Sequence, residues 1–163
     1  MSIALLVPAS LAAYSVSEIF YGWYLYQRKP RVGQAATACL LVSLSVHFFA
    51  LLARSRTLHT VPYNDLGGSM SLLALLLALI YLGLELRYRD RVVGPFLLPL
   101  VLILQAAPIV IADTPSSFFG IELKGSLFAL HVTSTIFAYA AFGLSFILSS
   151  LFLIEQQFIR AHQ

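Results

Sequence analysis

Charge is scarce in this sequence. Only 10% of its 163 residues are Asp, Glu, Lys or Arg, against 60% that are hydrophobic. That balance excludes a soluble domain of this size, whose polar exterior could not be built from so few polar residues. Cysteine is almost absent too. With Cys39 alone, a disulfide framework, a Cys-x-x-Cys redox pair and the Cys-x-x-Cys-His attachment site of a c-type cytochrome are all excluded. Tryptophan occurs once, as Trp23. The net charge of +3 calls for no nucleic-acid partner, since loop arginines facing anionic membrane lipid account for it.

What remains is a series of long apolar runs without the strict alternation of barrel strands. A hydrocarbon core of about 30 Å needs roughly 20 residues of helix. The runs predict an all-α integral membrane protein, one transmembrane domain over residues 1–163 with about five helices. The expected spans are Ile3 to Tyr26, Gln34 to Ala53, Ser69 to Leu86, Val92 to Ala112 and Gly125 to Ile154. No Lys or Arg precedes the first run and no cleavage site follows it, so it is expected to be retained. Short connections make consecutive helices antiparallel neighbours. Between Arg54 and Gly68, the residues Pro62, Asn64, Asp65, Gly67 and Gly68 suit a turn before a Ser69 cap. The segment Asp113 to Lys124 suits the membrane interface.

Basic residues are unevenly shared between the two sets of loops. Arg28, Lys29, Arg31, Arg87, Arg89, Arg91 and Arg160 fall on one side, and Arg54, Arg56 and Lys124 on the other. The positive-inside rule places the amino terminus outside and the carboxyl terminus in the cytoplasm. The expected location is a bacterial inner (plasma) membrane.

Polar residues recur at helical spacing on three of the runs: Ser10, Tyr14 and Glu18; Cys39, Ser43 and His47; His131, Thr135 and Tyr139. Such stripes are expected to face one another rather than lipid. Because an ionisable group is costly inside a bilayer, Glu18, His47 and His131 are candidate functional residues. The two histidines lie at similar depth, each about 10 Å from the outer boundary at 1.5 Å per residue. Glu18 falls where it could touch His47, and a carboxylate accepting a ring N–H would orient that imidazole.

Two imidazoles on facing helices could ligate a haem iron axially in an apolar slot. Phe48, Phe49, Phe128, Phe137 and Tyr139 could line it. The plainer readings stand beside this one: His47 as a hydrogen-bonded packing residue, His131 as an interfacial residue and Glu18 as one end of an interhelical hydrogen bond. His59 and His162 fall in a loop and the tail. Ala141, Ser145 and Ser149 form a small-residue stripe that would admit a close helix, and Glu85 is placed to pair with Arg89 at i+4.

Several stretches carry a family resemblance. Arg54-Ser55-Arg56 with His59, Pro62 and Asn64, followed by Ser69 to Leu82, resembles a segment of CcsA-type cytochrome c assembly proteins. The run Val93-Gly94-Pro95-Phe96-Leu97-Leu98-Pro99 resembles the start of that family's next helix. His131-Val132 followed by Tyr139-Ala140-Ala141 is similar to its exterior His-Val and Ser-Tyr-Ala-Ala helix start, and the helix carrying His47 is closer to the HemX and YpjD branch of the superfamily.

The resemblance implies a haem-handling membrane protein that assists cytochrome c maturation. Its cofactor would be haem b, and its partners lipid, haem, apocytochrome c and other assembly subunits. His131 and His47 would be the axial ligands, with Glu18 orienting His47 and Tyr139 beside the cofactor. No residue of this chain is expected to catalyse thioether attachment. The family's tryptophan-rich Trp-Gly-x-x-Trp-x-Trp-Asp segment is missing, so the chain resembles the amino-terminal portion of such a protein. Two rival readings remain at this point: a HemX-like, cofactor-free membrane regulator or assembly subunit, and a small transporter or proton relay using Glu18 and His47.

Overall fold

A computed structural model describes residues 3–58, 61, 63, 65–111 and 126–161. His59, Pro62, Asn64, His162 and the interfacial segment from Asp113 to Lys124 lie outside the described residues, as does the side chain of Phe128. The described chain forms five α-helices: α1 Ile3–Gln27, α2 Pro30–Leu58, α3 Leu66–Tyr88, α4 Gly94–Val110 and α5 Ser126–Ala161. Among the described residues three stretches are long and apolar enough to cross a membrane: Pro30–Thr57, Leu66–Tyr88 and Ala129–Ala161. α4 is a shorter apolar helix.

Neighbouring helices pack in a ring, α1 on α2, α2 on α3, α3 on α4 and α4 back on α1, while α5 lies outside the ring against α3 and touches α4. Short connections between α1 and α2 and between α3 and α4 put their loops at one end, hereafter the Arg91 end. There Gly33 lies beside the Arg91 side chain, so close that a Cβ would stand 2.9 Å from Arg91 Cδ. At the opposite, Asp65 end, Gly67 packs on Pro108 and Tyr63 Oη donates to the Ala129 carbonyl.

Hydropathy locates the apolar centre of a helix, whereas backbone hydrogen bonding carries the helix beyond it. α2 and α3 therefore exceed the expected spans at both ends. Asp65, not Ser69, caps α3: its Oδ1 accepts from the Gly68 N–H at 2.6 Å and its Oδ2 from Arg54 at 2.5 Å. Ser69 sits inside the helix and donates to the Tyr63 carbonyl. α4 begins with Pro at its first turn and stops where Ile111 turns extended, before the expected end at Ala112. Both α1 and α3 end on an arginine in the left-handed region, Arg28 at φ 54° and Arg89 at φ 57°. In each case its N–H closes the last turn, onto Tyr24 and Glu85 respectively. Asp65→Ala removes both the cap and the Arg54 contact, and the expected loss is about 1–2 kcal/mol. Thermal unfolding in detergent measures it.

The interior is unusually polar for a helical core. Ser10, Ser17, Thr37, Ser43, His47, Ser71, Glu85 and Gln105 are all buried, while Phe48, Phe49, Ile103, Phe142, Phe146 and Phe152 point outward. That is the distribution expected where lipid surrounds the bundle, because lipid solvates the apolar exterior and polar groups find partners only between helices.

Candidate functional site

The Asp65 half of the ring holds a hydrogen-bond chain with one member or more from each of its four helices. Ser10 on α1 donates to its own helix, at the Val7 carbonyl, 2.7 Å away. Having spent its one proton there, Ser10 can only accept from Gln105 of α4, whose Nε2 is 2.8 Å away. The opposite face of that amide, Oε1, accepts from Ser71 of α3 at 2.8 Å. Ser71 must in turn accept from His47 of α2, so Nε2, at 2.9 Å, carries the imidazole proton. Nδ1 is then the acceptor for Tyr14 Oη at 3.1 Å, and the two rings meet edge to face. With that tautomer every donor in the chain points the same way, and both ring nitrogens of His47 are engaged.

This arrangement departs from the expected pairing of Glu18 with His47. Tyr14 and Ser71 orient the ring instead. The inward face of α1 runs Ser10, Tyr14, Ser17, Tyr21, all fully buried, at spacings of four, three and four. Glu18 lies one position off that face, half-buried, and its Oε2 has no partner among the described residues. A strict i+4 series drifts round a helix of 3.6 residues per turn, so the third member of the expected stripe leaves the interface. On α2 Ser43 and His47 point inward as expected, with Cys39 only half-buried.

The expected facing of His47 and His131 does not occur either. His47 is fully buried inside the ring, whereas His131 is exposed on α5, which makes no contact with α2 among the described residues. α5 buries Ile136, Ala140, Leu144 and Ile147, the row adjoining the polar stripe. His131, Thr135 and Tyr139 therefore flank a groove instead of entering the core. Together with Ser69, Met70, Leu73, Val132 and Ile136 they enclose about 320 Å³ between α3 and α5. Phe48 and Phe49 face outward from α2, and Phe137 is half-exposed; none of the three lines this groove. The stripe Ala141, Ser145 and Ser149 is exposed.

At the Arg91 end a second cluster surrounds Glu85, which the i+4 spacing would have paired with Arg89. Arg89 caps the helix through its backbone, and the Glu85 side chain turns inward. It accepts from Tyr21 Oη and from Thr37 Oγ1 and pairs with Arg91 Nε at 3.1 Å. Arg91 also donates to Thr37 at 2.9 Å. Tyr81 stacks edge-on against Tyr21. The cluster closes over Gly94, where a Cβ would lie 2.5 Å from the Tyr21 ring and 2.8 Å from Tyr81 Oη, so only glycine lets α4 start here. In sequence Glu85 looks like one member of a solvated charge group, and only the six-residue reach to Arg91 around a helix end could have hinted otherwise.

His131 and the groove beside it place an accessible imidazole next to an apolar wall. His47 does not fit an axial position, because ligation would break the bond to Tyr14 or to Ser71. Among the described residues no group of three or more His, Cys, Asp or Glu could hold a bare metal ion. No family model matches the chain, and no solved structure matches it. Over a 110-residue stretch it is 31% identical to the cytochrome c biogenesis protein CcsA of two strains of Heterosigma akashiwo, a stretch that covers 66% of this chain but only 34% of each relative.

Proposed function

We propose that the chain is a membrane-embedded, haem-handling component of a cytochrome c biogenesis system. The observation that carries this reading is the exposed His131 imidazole at an apolar groove of about 320 Å³ between α3 and α5. The similarity to CcsA over 110 residues supports it. When bound, haem b would supply an iron that takes an imidazole as axial ligand. His131 would hold the iron, and Leu73, Val132, Ile136 and Tyr139 of the same groove would supply its surroundings. Met70 lines the same groove, and its thioether is a ligand type that haem iron accepts. Apocytochrome c and further assembly subunits would be the partners, since the chain offers no thiol chemistry beyond the half-buried Cys39.

The asymmetry of basic residues supports one orientation of the bundle. Arg28, Lys29, Arg31, Arg87, Arg89 and Arg91 lie near the Arg91 end, so that end would face the cytoplasm and the His131 groove would open in the outer half. Protein purified from haem-replete cells is expected to show a Soret band that His131→Ala abolishes. Colourless wild-type protein, or a band indifferent to His131→Ala, refutes the reading.

A further inference from the structure

The charges at the Arg91 end divide into two kinds. Arg91 is tucked in: it pairs with the buried Glu85 at 3.1 Å and donates to Thr37 at 2.9 Å. Arg28, Lys29, Arg31, Arg87 and Arg89 are exposed, and among the described residues none of the five pairs with a carboxylate. Asp90, the acid beside them in sequence, spends its Oδ1 on the Val92 N–H at 2.9 Å.

The fold gathers these five cations into one face. Arg91 reaches from the connection between α3 and α4 across to α2, where a Cβ on Gly33 would meet both the Arg91 stem and the Tyr24 ring at 2.9 Å. The connection between α1 and α2 therefore lies against the one between α3 and α4. Aromatic residues frame the result. Tyr26, just before Arg28, is 88% exposed, and Tyr88, between Arg87 and Arg89, is 71% exposed, with the Arg87 guanidinium 5.7 Å from the centre of its ring. A tyrosine, apolar in its ring and polar at its hydroxyl, belongs at the level of lipid headgroups, which puts the neighbouring cations at the level of the phosphates.

We infer that this face binds anionic phospholipid, its cations holding the headgroup phosphates. The inference rests on the membrane placement of the bundle and holds with or without haem at the α5 groove. Charge selects the headgroup. A zwitterionic lipid brings a cation of its own with each phosphate and leaves the five basic groups uncompensated, whereas a net-negative lipid neutralises them. The arginine forks take phosphate oxygens in pairs, and Lys29 acts as a point charge. Shape selects lipid over an acidic protein segment. Just inside the cations the helix surface is apolar and exposed, at Trp23 on α1 and Leu86 on α3. A molecule with a phosphate above and hydrocarbon below covers both levels, and an acidic loop covers only the upper one.

Trp23 is the chain's one tryptophan and stands about 7.5 Å along α1 from Arg28, so its fluorescence reports the lipid next to this face. The test places the purified full chain in vesicles containing equal mole fractions of either brominated phosphatidylglycerol or brominated phosphatidylcholine, whose bromines quench a tryptophan they touch. Brominated phosphatidylglycerol is expected to quench Trp23 more strongly, by an amount corresponding to severalfold enrichment beside it. Salt at about 1 M, where the Debye length is about 3 Å, should remove the preference. So should Arg28→Gln, Lys29→Gln, Arg31→Gln, Arg87→Gln and Arg89→Gln combined, while Arg56→Gln, in the last turn at the other end of α2, should keep it. Both leaflets carry the same lipid, so the orientation of the bundle does not enter. Equal quenching by the two lipids, or a preference that ignores both salt and charge removal, overturns the inference and leaves the face to an acidic protein segment. Quenching by neither lipid overturns the membrane placement of α1 and the inference with it. Should the combined variant fail to fold, the salt dependence of the wild-type protein decides.

Discussion

Glu85→Ala is expected to be the most destabilising single substitution in the bundle, costing about 3–5 kcal/mol, the range for removing one partner of a buried ion pair. The carboxylate accepts from three donors on three segments, Tyr21 on α1, Thr37 on α2 and Arg91 at the start of the α4 connection. Its removal leaves Tyr21 without its acceptor and Arg91 without its counter-charge, while Thr37 keeps the Gly33 carbonyl. The Arg91 side chain is about one-fifth exposed, so its own charge can recover some solvation and the lower end of the range is expected. Glu85→Gln tests the same point from the other side. It keeps the volume but places an NH₂ group against donors, so it should fall between wild type and Glu85→Ala. Unfolding in detergent, followed by helical circular dichroism, orders the three proteins. Equal stability for Glu85→Ala and wild type would mean the cluster does not hold this end together.

His47→Ala should lose about 2–4 kcal/mol. It breaks bonds on both sides of the ring, and interhelical hydrogen bonds in a bilayer average about 0.6 kcal/mol with a maximum near 1.7. The rest comes from the cavity left by a fully buried side chain. The contrast with His131 is what makes this substitution informative. His131→Ala truncates an exposed side chain and should leave stability within about 0.5 kcal/mol of wild type while removing the haem spectrum. His47→Ala should do the reverse, keeping the spectrum in whatever fraction folds. If instead His47→Ala bleached a fully folded protein, an axial role for His47 would return and the hydrogen-bond chain could not be its resting arrangement.

Helix content was readable from the sequence because hydropathy and length alone specify it, and the inward face of α2 was readable because Ser43 and His47 stand one turn apart. The α1 face was half readable. Ser10 and Tyr14 are correct members, but a rigid four-residue step selects Glu18, whereas the helix, at 3.6 residues per turn, brings Ser17 and Tyr21 to the interface. The α5 stripe has the right spacing and the wrong neighbour. Its residues lie at a groove because the adjacent apolar row, Ile136 to Ile147, is what packs on α3.

By itself, then, the sequence determined the solvent, the helical class and which residues are too polar to meet lipid, since each of these depends on composition and local spacing. Tertiary structure decided which polar groups meet. Hydrogen bonding is a short-range relation between side chains far apart in the chain, 95 residues for Gln105 and Ser10 and 64 for Tyr21 and Glu85. No local pattern encodes that α5 stands outside the ring, and that single placement parts the two histidines.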